Sequence, residues 1–381
     1  MNIVFFYESI DLGGQQTQTY QLARRLAARG HSVSWAYTQG SAMKPLVEEH
    51  ARLQRVGARI GSKDYRRRPW RVVAAAWGLA AWLRAERADV VVSGSGIGSL
   101  IAGLAARRVR ARHFRLVGCS LRQVEPTLYR VYRWCGIDRL IDGYFGWPAV
   151  FEELATRGVP RRKFVELNDA VDAELFRPLP ASEREQFRRT LGITPDELVI
   201  GWVGRIAPDM QVGNTVQLCA KLRRRGFDRI RLLLVGGGPW MDGLRAMIDQ
   251  LGLSDRSLFT DWVPVEQVCR YINAMDIVPL LEADPQGGSI VREAMACGRV
   301  ALSVDGASGA QRRFMQGDHA VLVPPQQFLE RAADAVVALA GDPGARERIG
   351  ANARRYAESA MSFDAQVLAL LRAFGQPAGT A

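Results

Sequence analysis

The chain contains 381 residues, of which 48% are hydrophobic and 24% are charged. This composition is that of a globular protein and excludes collagen-like and intrinsically disordered chains, while the length predicts two domains. The net charge of +12 comes entirely from residues 1–177, which hold 28 basic and 16 acidic side chains, whereas the remaining residues hold 23 of each.

Short apolar segments alternate with helix-like segments through the first half of the chain, which is typical of β-α-β units and a parallel sheet. The first strand is followed by the adjacent glycines Gly13 and Gly14, and Gly30 closes the first helix. The predicted strands are residues 2–7, 31–37 and 89–93, and the predicted helices are residues 17–29, residues 70–87 and the end of the segment 94–106. These units predict a first doubly wound domain.

A proline-bearing stretch, residues 176–180, is typical of a linker and precedes a second series of the same kind. The second series predicts strands at residues 198–203, 231–235, 277–281 and 300–304, with a glycine turn at residues 236–239. The predicted fold is therefore α/β, with two Rossmann-like doubly wound domains at residues 1–177 and 178–360. A C-terminal helix within residues 361–381 is expected to pack back toward the first domain and to end in a loose tail. Ligands of such sheets bind beyond the carboxyl ends of the strands, so we expect the site in a cleft between the domains.

Cysteine and histidine spacing argues against metal sites and disulfides. The five cysteines are widely spaced and none belongs to a Cys-x-x-Cys pair, which predicts neither a disulfide framework nor a zinc ribbon. The four histidines lack ligand spacing, so we predict no structural metal. The N-terminal segment reaches Glu8 before a signal-peptide core could form, and the longest apolar run, residues 72–83, is too short to cross a bilayer. We therefore expect a cytoplasmic protein in a reducing compartment.

The most informative segment is residues 286–298, which read QGGSIVREAMACG. Adjacent glycines directly before a helix leave unpaired backbone N–H groups, and the helix dipole adds partial positive charge, so this helix start can hold a phosphate. Glu293 lies about one turn further on, where a carboxylate can accept hydrogen bonds from a ribose. An ordinary glycine turn with a solvated Glu293 has the same spacing, so the spacing by itself leaves both interpretations open.

This segment resembles the signature E-G-F-G-x-x-x-x-E-A-M-A-x-G of the retaining family 4 glycosyltransferases, also called group 1, which have the GT-B fold. Other segments resemble further motifs of this family, in the same order and along nearly the whole chain. They are LNDAVD at residues 167–172 with FRP at 176–178, GWVGR at 201–205, LVGGGP at 234–239, residues 259–264, AMDI at 274–277 and LVPP at 322–325. An ordered set of this kind is far more specific than any one of its motifs.

The resemblance implies which residues bind a nucleotide-sugar donor. Arg205 would contact the donor diphosphate and Glu293 would bind the ribose, and these two are the predicted catalytic residues. The other implied donor residues are Gly288 with the backbone amides of Ser289, Ile290 and Val291 at the diphosphate, Trp262 and Val263 beside the base, and Gly13 and Gly14 approaching the phosphates from the other domain. N–H dipoles and a guanidinium stabilise the negative charge of a leaving nucleoside diphosphate, and neither a metal nor a cofactor is implied.

The chain departs from the family's motifs at three places. Met210 stands where the family has a lysine, Pro285 stands where it has the first glutamate of an E-x7-E pair, and Val117-Gly118-Cys119 replaces T-x-H-G. A methionine cannot neutralise a diphosphate, and a proline cannot hydrogen-bond a sugar hydroxyl. Asp284 or Glu282 for the proline, and an arginine of the basic first domain for the methionine, are the candidate replacements.

Basic and aromatic residues surround an apolar helix of the first domain. Arg66, Arg67, Arg68, Trp70 and Arg71 precede it or begin it. Arginines beside tryptophan suit a helix that lies on an anionic membrane surface or contacts the acceptor. A core helix at residues 72–83 with solvated arginines around it is the better interpretation for an α/β domain, and it is compatible with membrane contact. No nucleic-acid-binding module is recognisable, so we predict no nucleic-acid partner.

The sequence therefore predicts a retaining, metal-independent glycosyltransferase that needs no cofactor. It would move a sugar from a UDP- or GDP-linked donor to a glycan or lipid-linked acceptor, in the synthesis of bacterial cell-envelope polysaccharide or lipopolysaccharide. The positive charge of the first domain fits a phosphorylated acceptor. The alternative, motivated by Met210, Pro285 and Gly118, is a GT-B scaffold that has lost turnover and serves as a nucleotide-binding or partner subunit.

Overall fold

A computed structural model of the chain describes residues 1–375 except 11–13, 41–42, 58, 61–63, 118–125, 168–169, 284–287, 308 and 310. The chain forms two compact units, one made of Met1–Asn168 with Phe363–Ala381 and the other of Asp169–Ser362. Each unit is built on one parallel sheet with helices between most of the successive strands. The predicted fold class, two Rossmann-like α/β domains, is confirmed.

The sheet of the first unit contains seven strands among the described residues, all parallel, in the order β3-β2-β1-β4-β5-β6-β7. The strands are β1 (Asn2–Ser9), β2 (Ser32–Gln39), β3 (Arg52–Arg55), β4 (Val90–Ser93), β5 (Arg112–Leu116), β6 (Gly143–Gly146) and β7 (Phe164–Glu166). The order reverses between β1 and β4, which is the arrangement of doubly wound sheets. Five consecutive residues of β1 are buried, because helices cover both faces of a parallel sheet.

The described helices of this part of the chain are α1 (Gly14–Ala28), α2 (Lys44–Glu48), α3 (Asp64–Arg67), α4 (Pro69–Ala85), α5 (Gly96–Val109), α6 (Pro126–Cys135) and α7 (Pro148–Thr156). Pro69 begins α4, where a missing N–H costs no hydrogen bond. Val72, Ala76, Leu79 and Leu83 recur at helical spacing and are buried in the core of the unit. The interpretation of residues 72–83 as part of a core helix is therefore correct.

Several short strands were not predicted from the sequence, namely β3, β5, β6 and β7. β5 reads Arg-His-Phe-Arg-Leu, and its polar residues hide the apolar pattern of a buried strand. His113 and Arg115 are nevertheless buried. Pairing with neighbours on both sides, β4 and β6, places these residues in the sheet interior, and no property of the isolated segment reveals this.

The second unit has a six-stranded parallel sheet within the described residues, in the order β10-β9-β8-β11-β12-β13. The strands are β8 (Leu198–Val203), β9 (Ile230–Val235), β10 (Ser257–Thr260), β11 (Ile277–Leu280), β12 (Val300–Val304) and β13 (Val321–Val323). The helices are α8 (Ala181–Thr190), α9 (Val212–Arg224), α10 (Met241–Gln250), α11 (Val265–Ala274), α12 (Ser289–Ala296), α13 (Phe328–Gly341) and α14 (Pro343–Ala360). Among these strands, β10 and β13 were not predicted from the sequence; they are the two edge strands of the sheet, and most of their residues are only half-buried.

The last described helix, α15 (Phe363–Gly375), belongs to the first unit although it follows the second in the chain. The rings of Phe114 and Phe145 stack on each other, and the ring of Phe374 packs edge-on against both, with its centroid 5.0 Å from that of Phe114 and 5.8 Å from that of Phe145. The guanidinium of Arg112 donates hydrogen bonds to the carbonyl oxygens of Ala373 and Phe374 at 3.1 and 2.7 Å, and thereby caps the carboxyl end of the helix.

The boundary between the units lies nine residues before the predicted one. Residues 169–177, assigned to the first domain from the sequence, belong to the second unit. Val171 pairs with Ser362 in a β-bridge, Phe176 is part of the hydrophobic core of the second unit, and Arg354 donates to the carbonyl oxygen of Ala173. Proline content indicates irregular backbone correctly, but it does not tell which core the irregular segment packs against.

Replacing Phe374 by alanine tests whether α15 is an integral part of the first unit. Removal of a buried phenyl ring leaves a cavity, and we expect a loss of about 3–5 kcal/mol in the free energy of unfolding, measured by chemical denaturation. The matched control is Leu368→Ala on the same helix, because Leu368 is 49% exposed, and we expect a change of less than about 1 kcal/mol there. Equal effects of the two substitutions would contradict this packing.

Candidate functional site

The carboxyl edge of the second sheet carries the residues that the sequence analysis assigns to the donor. The strand order reverses between β8 and β11, and doubly wound sheets bind ligands at such a point. Arg205 follows β8 by two residues, and Gly288 directly precedes α12 in the connection from β11. Trp262 and Val263 follow β10. These residues, far apart in the chain, thus all lie at the ends of strands on one edge of one sheet.

The loop that carries Arg205, residues 204–206, is held in place by the glycine loop at residues 236–239. Gly236 and Gly238 have φ angles of +124° and +155°, and a Cβ atom on either would lie 2.2 Å from a carbonyl oxygen of the 204–206 loop. Backbone hydrogen bonds of 3.0 and 2.9 Å join the two loops. Because only glycine allows this approach, the glycine turn predicted at residues 236–239 serves close backbone packing. Arg205 itself is exposed at this point.

The start of α12 offers backbone N–H groups. Gly288 has a φ angle of +116°, and a Cβ atom there would lie 2.5 Å from the side chain of Leu280, so the entry to the helix requires glycine. No side chain in the described part of the chain caps this helix start. The side chains of Ile290 and Val291 are buried and that of Ser289 is exposed. The amides of these residues therefore form a helix start that is able to bind an anion.

Glu293 lies one turn into α12 and is half-buried. Burial raises the pKa of its carboxyl above the ordinary value, while a hydrogen bond with the Ser289 side chain and the positive charge of Arg292 act in the opposite direction. A carboxyl group in this setting exchanges hydrogen bonds with hydroxyl groups, which is the chemistry that a ribose presents. The interpretation of Glu293 as a fully solvated residue is therefore wrong.

Trp262 provides a flat apolar surface next to the glycine loop. Its side chain is 63% exposed, and a Cβ atom on Gly237 would lie 2.9 Å from its Nε1 atom. Val263 is half-buried and packs against the core of the second unit. Aromatic rings in such positions stack on bases, with about 1–3 kcal/mol per stacked base in nucleic-acid complexes.

The structure gives a physical reason for one departure from the family's motifs. Met210 packs its side chain against the hydrophobic core of the second unit, in a turn followed by Gln211 with a left-handed φ of +54°. A lysine ammonium in the same place would have to leave this apolar contact. Glu282 is half-buried just beyond β11. Asp284 and Pro285 lie outside the described residues, as do Gly118 and Cys119.

In the first unit the corresponding edge holds a carboxyl group that the sequence analysis missed. Gly13 lies outside the described residues, and Gly14 begins α1. Glu8, near the end of β1, accepts a hydrogen bond of 2.5 Å from the Ser95 hydroxyl. The same hydroxyl accepts a hydrogen bond of 2.9 Å from the Gly98 amide and so caps α5. Both β1 and β4 end here, so this pair lies where the first sheet reverses its strand order.

Desolvation dominates the electrostatics at Glu8. Burial raises the pKa of Glu8 above its ordinary value, while the hydrogen bond from Ser95 and the positive charge of Arg115 lower it. Arg115 is itself only 3% exposed, and its Nε and Nη1 atoms have no hydrogen-bond partner among the residues that the structure describes. A buried guanidinium next to a carboxyl group is typical of functional sites. The signal for it in the sequence is Glu8 at the carboxyl end of a strand in a doubly wound sheet.

One face of α4 is buried and the other is exposed and apolar. Trp70 and Trp77 are 63% and 56% exposed, and Val73 between them is also exposed. The guanidinium of Arg108 on α5 lies 3.6 Å from the centre of the Trp77 ring, a cation–π contact. The further basic residues before or at the start of α4 are Arg66, Arg67, Arg68 and Arg71. The helix therefore has the two sides that the sequence predicts. One side belongs to the core, and the other is aromatic and basic.

No described helix is both long enough and apolar enough to pass through a bilayer. No group of three or more histidine, cysteine, aspartate or glutamate side chains with the geometry to hold a metal ion occurs in the ranges that the structure covers.

Two family models match the chain, one in each unit. The model for Glycosyltransferase Family 4 matches residues 12–140, and the model for Glycosyl transferases group 1 matches residues 183–356. A similar curated protein is the D-inositol 3-phosphate glycosyltransferase of Kribbella flavida, which is 29% identical over 211 residues. These residues are 53% of this chain and 48% of that enzyme, so the chain spans about half the length of this relative.

Solved structures resemble the chain over almost its full length. The crystal structure of Anabaena Alr3699/HepE in complex with UDP has a TM-score of 0.83 at 17% identity, and the alignment covers 98% of this chain and 99% of that one. WaaG, a glycosyltransferase involved in lipopolysaccharide biosynthesis, has a TM-score of 0.71 at 17% identity, with 97% and 98% covered. At this level of identity the similarity demonstrates a shared fold.

Substitution of Glu8 by glutamine tests the desolvated carboxyl of the first unit. A raised pKa means that the native state holds a proton that the unfolded chain releases above about pH 4.3, so Glu8 lowers the free energy of unfolding as the pH rises through its folded pKa. We therefore expect the thermal midpoint of Glu8→Gln, relative to wild type, to increase as the pH is raised from 4 to about 8. The control is Glu166→Gln, since Glu166 is an exposed residue of β7. The difference in thermal midpoint between this variant and the wild type is expected to stay constant with pH. A constant difference for Glu8→Gln as well would contradict the raised pKa of Glu8.

Proposed function

We propose that this chain, which belongs to the family 4 glycosyltransferases of GT-B fold, transfers a sugar from a nucleotide-sugar donor to an anionic glycan or lipid-linked acceptor. The observation that carries the proposal is the juxtaposition on one sheet edge of an uncapped helix start, an exposed arginine and a half-buried glutamate, at the ends of β8 and β11. A nucleoside diphosphate requires the same three kinds of group: amide donors, a cation and a hydroxyl-binding carboxyl.

The position of each donor residue indicates which part of the nucleotide it would contact. The amides of Gly288, Ser289, Ile290 and Val291 and the guanidinium of Arg205 would bind the diphosphate. Glu293 would bind the ribose hydroxyls, and the base would lie against Trp262 and Val263. Gly14, with Gly13 before it, would approach the phosphates through its backbone. The crystal structure of Anabaena Alr3699/HepE contains UDP, which supports a uridine donor over a guanosine one.

The reaction would proceed without a metal ion and with retention of configuration. The bond between the anomeric carbon and the β-phosphate oxygen breaks, and the acceptor hydroxyl forms the new bond on the same face of the sugar. The proton of this hydroxyl passes to the departing β-phosphate. Arg205 and the α12 amides neutralise the charge that develops on the diphosphate, and one such donor is typically worth about 3–4 kcal/mol. No side chain forms a covalent intermediate in this scheme.

The charge distribution supports an anionic acceptor bound by the first unit. Residues 1–177 carry the whole positive excess of the chain, and a positive field attracts phosphorylated and carboxylated acceptors while it repels cationic ones. Kribbella flavida D-inositol 3-phosphate glycosyltransferase is named for a phosphorylated acceptor, and WaaG for lipopolysaccharide biosynthesis. The first name supports a phosphorylated acceptor, and the second supports a role in building a lipid-linked glycan of the bacterial cell envelope.

The outer side of α4 would hold the enzyme on an anionic membrane surface. Its exposed tryptophans suit the interfacial region of a bilayer, and Arg66, Arg67, Arg68 and Arg71 would contribute about 1 kcal/mol each near an anionic headgroup layer. A cytoplasmic enzyme with such a face would reach a lipid-linked acceptor without a membrane-spanning segment.

Glu293→Ala and Arg205→Gln test the donor assignment. Loss of the ribose contact in Glu293→Ala is expected to weaken UDP binding at least about ten-fold, measured by calorimetry. Arg205→Gln is expected to lower the turnover number about 100-fold or more, because the guanidinium acts on charge that develops in the transition state. The control is Glu347→Ala on the exposed side of α14, which should leave both quantities unchanged.

The outcome of this experiment also separates the two functions considered from the sequence. UDP binding that depends on Glu293, together with release of UDP from UDP-sugars when an acceptor is added, supports the transferase. Binding without release in the presence of any phosphorylated glycan or lipid acceptor would instead identify a nucleotide-binding scaffold. Unchanged UDP affinity in Glu293→Ala would show that the ribose lies elsewhere.

Trp70→Ala combined with Trp77→Ala tests the membrane face. We expect partitioning onto phosphatidylglycerol-containing vesicles, measured by co-sedimentation, to fall at least about ten-fold, because two aromatic rings no longer enter the interface. The matched control is Trp134→Ala, since Trp134 on α6 is 85% exposed and lies on a different helix. Equal loss in the control and the double variant would mean that α4 has no special part in membrane contact.

A further inference from the structure

A small basic pocket lies at the carboxyl ends of β2 and β3 in the first unit. It has a volume of about 170 Å³ and is lined by Tyr37, Gln39, Gly40, Lys44, Arg55 and Arg59. The pocket follows from the parallel register of the sheet, in which Tyr37 lies opposite Arg55. A pocket of this size has room for a few water molecules or for one compact oxyanion.

The two arginines of the pocket are held in place through one nitrogen each. Arg55 Nε donates to the carbonyl oxygen of Thr38 at 3.1 Å, and Arg59 Nε donates to the side-chain oxygen of Gln39 at 2.6 Å. The Nη1 and Nη2 groups of both arginines make no hydrogen bond to the part of the chain that the structure describes. A guanidinium anchored in this way presents the remaining edge of its fork to a ligand, without losing further side-chain entropy on binding.

The third cation is Lys44 at the start of α2. Its Nζ atom lies 5.4 Å from the centre of the Tyr37 ring, which orients the ammonium group by a cation–π contact. Within the described ranges, neither Lys44 nor the two arginines form an ion pair with a carboxylate. Three positive charges around one small cavity repel each other, and an anion placed among them is attracted by all three.

We infer that this pocket binds the phosphate group of a phosphate ester, and that it is the acceptor's anion subsite. The inference rests on the proposed function for the identity of the ester as the sugar acceptor. A phosphate fits because its tetrahedral oxygens accept from two forked guanidinium groups and one ammonium at the same time. Its dianionic charge also matches three cations better than a single carboxylate does.

The pocket is linked to the outer face of α4. Arg71, on the first turn of α4, donates to the carbonyl oxygen of Arg59 at 3.4 Å. One hydrogen bond therefore connects the segment that carries Arg59 with α4, the helix that carries Trp70 and Trp77 on its exposed face. A free sugar or polyol phosphate and a lipid headgroup carry the same phosphate group. The two sources differ because only the lipid headgroup is bound at a membrane surface.

The test is a titration of glycerol 3-phosphate into the full chain saturated with UDP, so that the donor's phosphate site is already occupied. In the double variant Arg55→Gln with Arg59→Gln, we expect the affinity to fall at least about ten-fold, as removal of charge-assisted hydrogen bonds predicts. A parallel arm measures binding to phosphatidylcholine vesicles with and without phosphatidic acid, which presents the same phosphate ester on a lipid. Glycerol without phosphate is the negative probe.

The matched control removes the same charge from a helix elsewhere in the first unit. Arg130 and Arg133 are exposed on α6, and Arg130→Gln with Arg133→Gln should leave both arms unchanged. Lys44→Gln is a second test of the pocket that disturbs neither arginine anchor, and it keeps the experiment decisive if the double variant is unstable. Wild-type binding of glycerol 3-phosphate that is lost in the pocket variants supports a free phosphate ester as ligand.

Binding only to phosphatidic acid vesicles, again lost in the pocket variants, supports a lipid-borne phosphate. Absence of binding in both arms, or equal losses in the pocket and control variants, would overturn the inference. UDP affinity is measured on the same samples, which keeps this result separate from the proposed function. Failure of UDP to bind the wild type would count against the transferase. The comparison of phosphate binding between pocket and control variants would still be interpretable in that case.

Discussion

The close backbone contact between the 204–206 loop and the glycine loop at residues 236–238 is the constraint on which the donor edge of the second unit depends. Two carbonyl oxygens occupy the space that Cβ atoms at Gly236 and Gly238 would need. The resulting hydrogen bonds hold the chain on both sides of Arg205, while its side chain stays exposed. A guanidinium on a fixed backbone segment is pre-organised for a phosphate, which reduces the entropy lost on binding.

Both units pair arginines with carboxylates. Arg157 contacts Asp138 at 3.1 Å in the first unit, and Arg184 and Arg188 contact Asp276 at 2.6 and 3.1 Å in the second. The first unit also holds arginines without such a partner among the described residues: Arg55 and Arg59 form no ion pair there, and two side-chain nitrogen atoms of the buried Arg115 have no hydrogen-bond partner there. Uncompensated charge in a folded domain lowers stability, so its concentration in one unit is expected where an anionic ligand completes the site.

One departure from the family's motifs, Met210, also follows from packing. Met210 contributes apolar surface to the core of the second unit, where its family's lysine would contribute charge. The donor edge of this chain therefore relies on backbone amides and on Arg205 for diphosphate binding in our scheme. Helix-start amides carry partial positive charge that no side-chain substitution removes, which makes this arrangement tolerant of the loss of a lysine.

The donor roles of Gly288 and Glu293 stay a prediction from glycine spacing and from the family resemblance. Local sequence by itself determined the β-α-β alternation and the strands at residues 198–203 and 300–304, because the hydrophobic period acts over a few residues. It did not indicate β5, whose buried His113 and Arg115 resemble surface residues, nor the short edge strands. The hydrogen bond between Glu8 and Ser95 and the basic pocket beside Tyr37 were decided only by the tertiary structure. Both join residues separated along the chain, and parallel strand register, which depends on the whole sheet, brings them together.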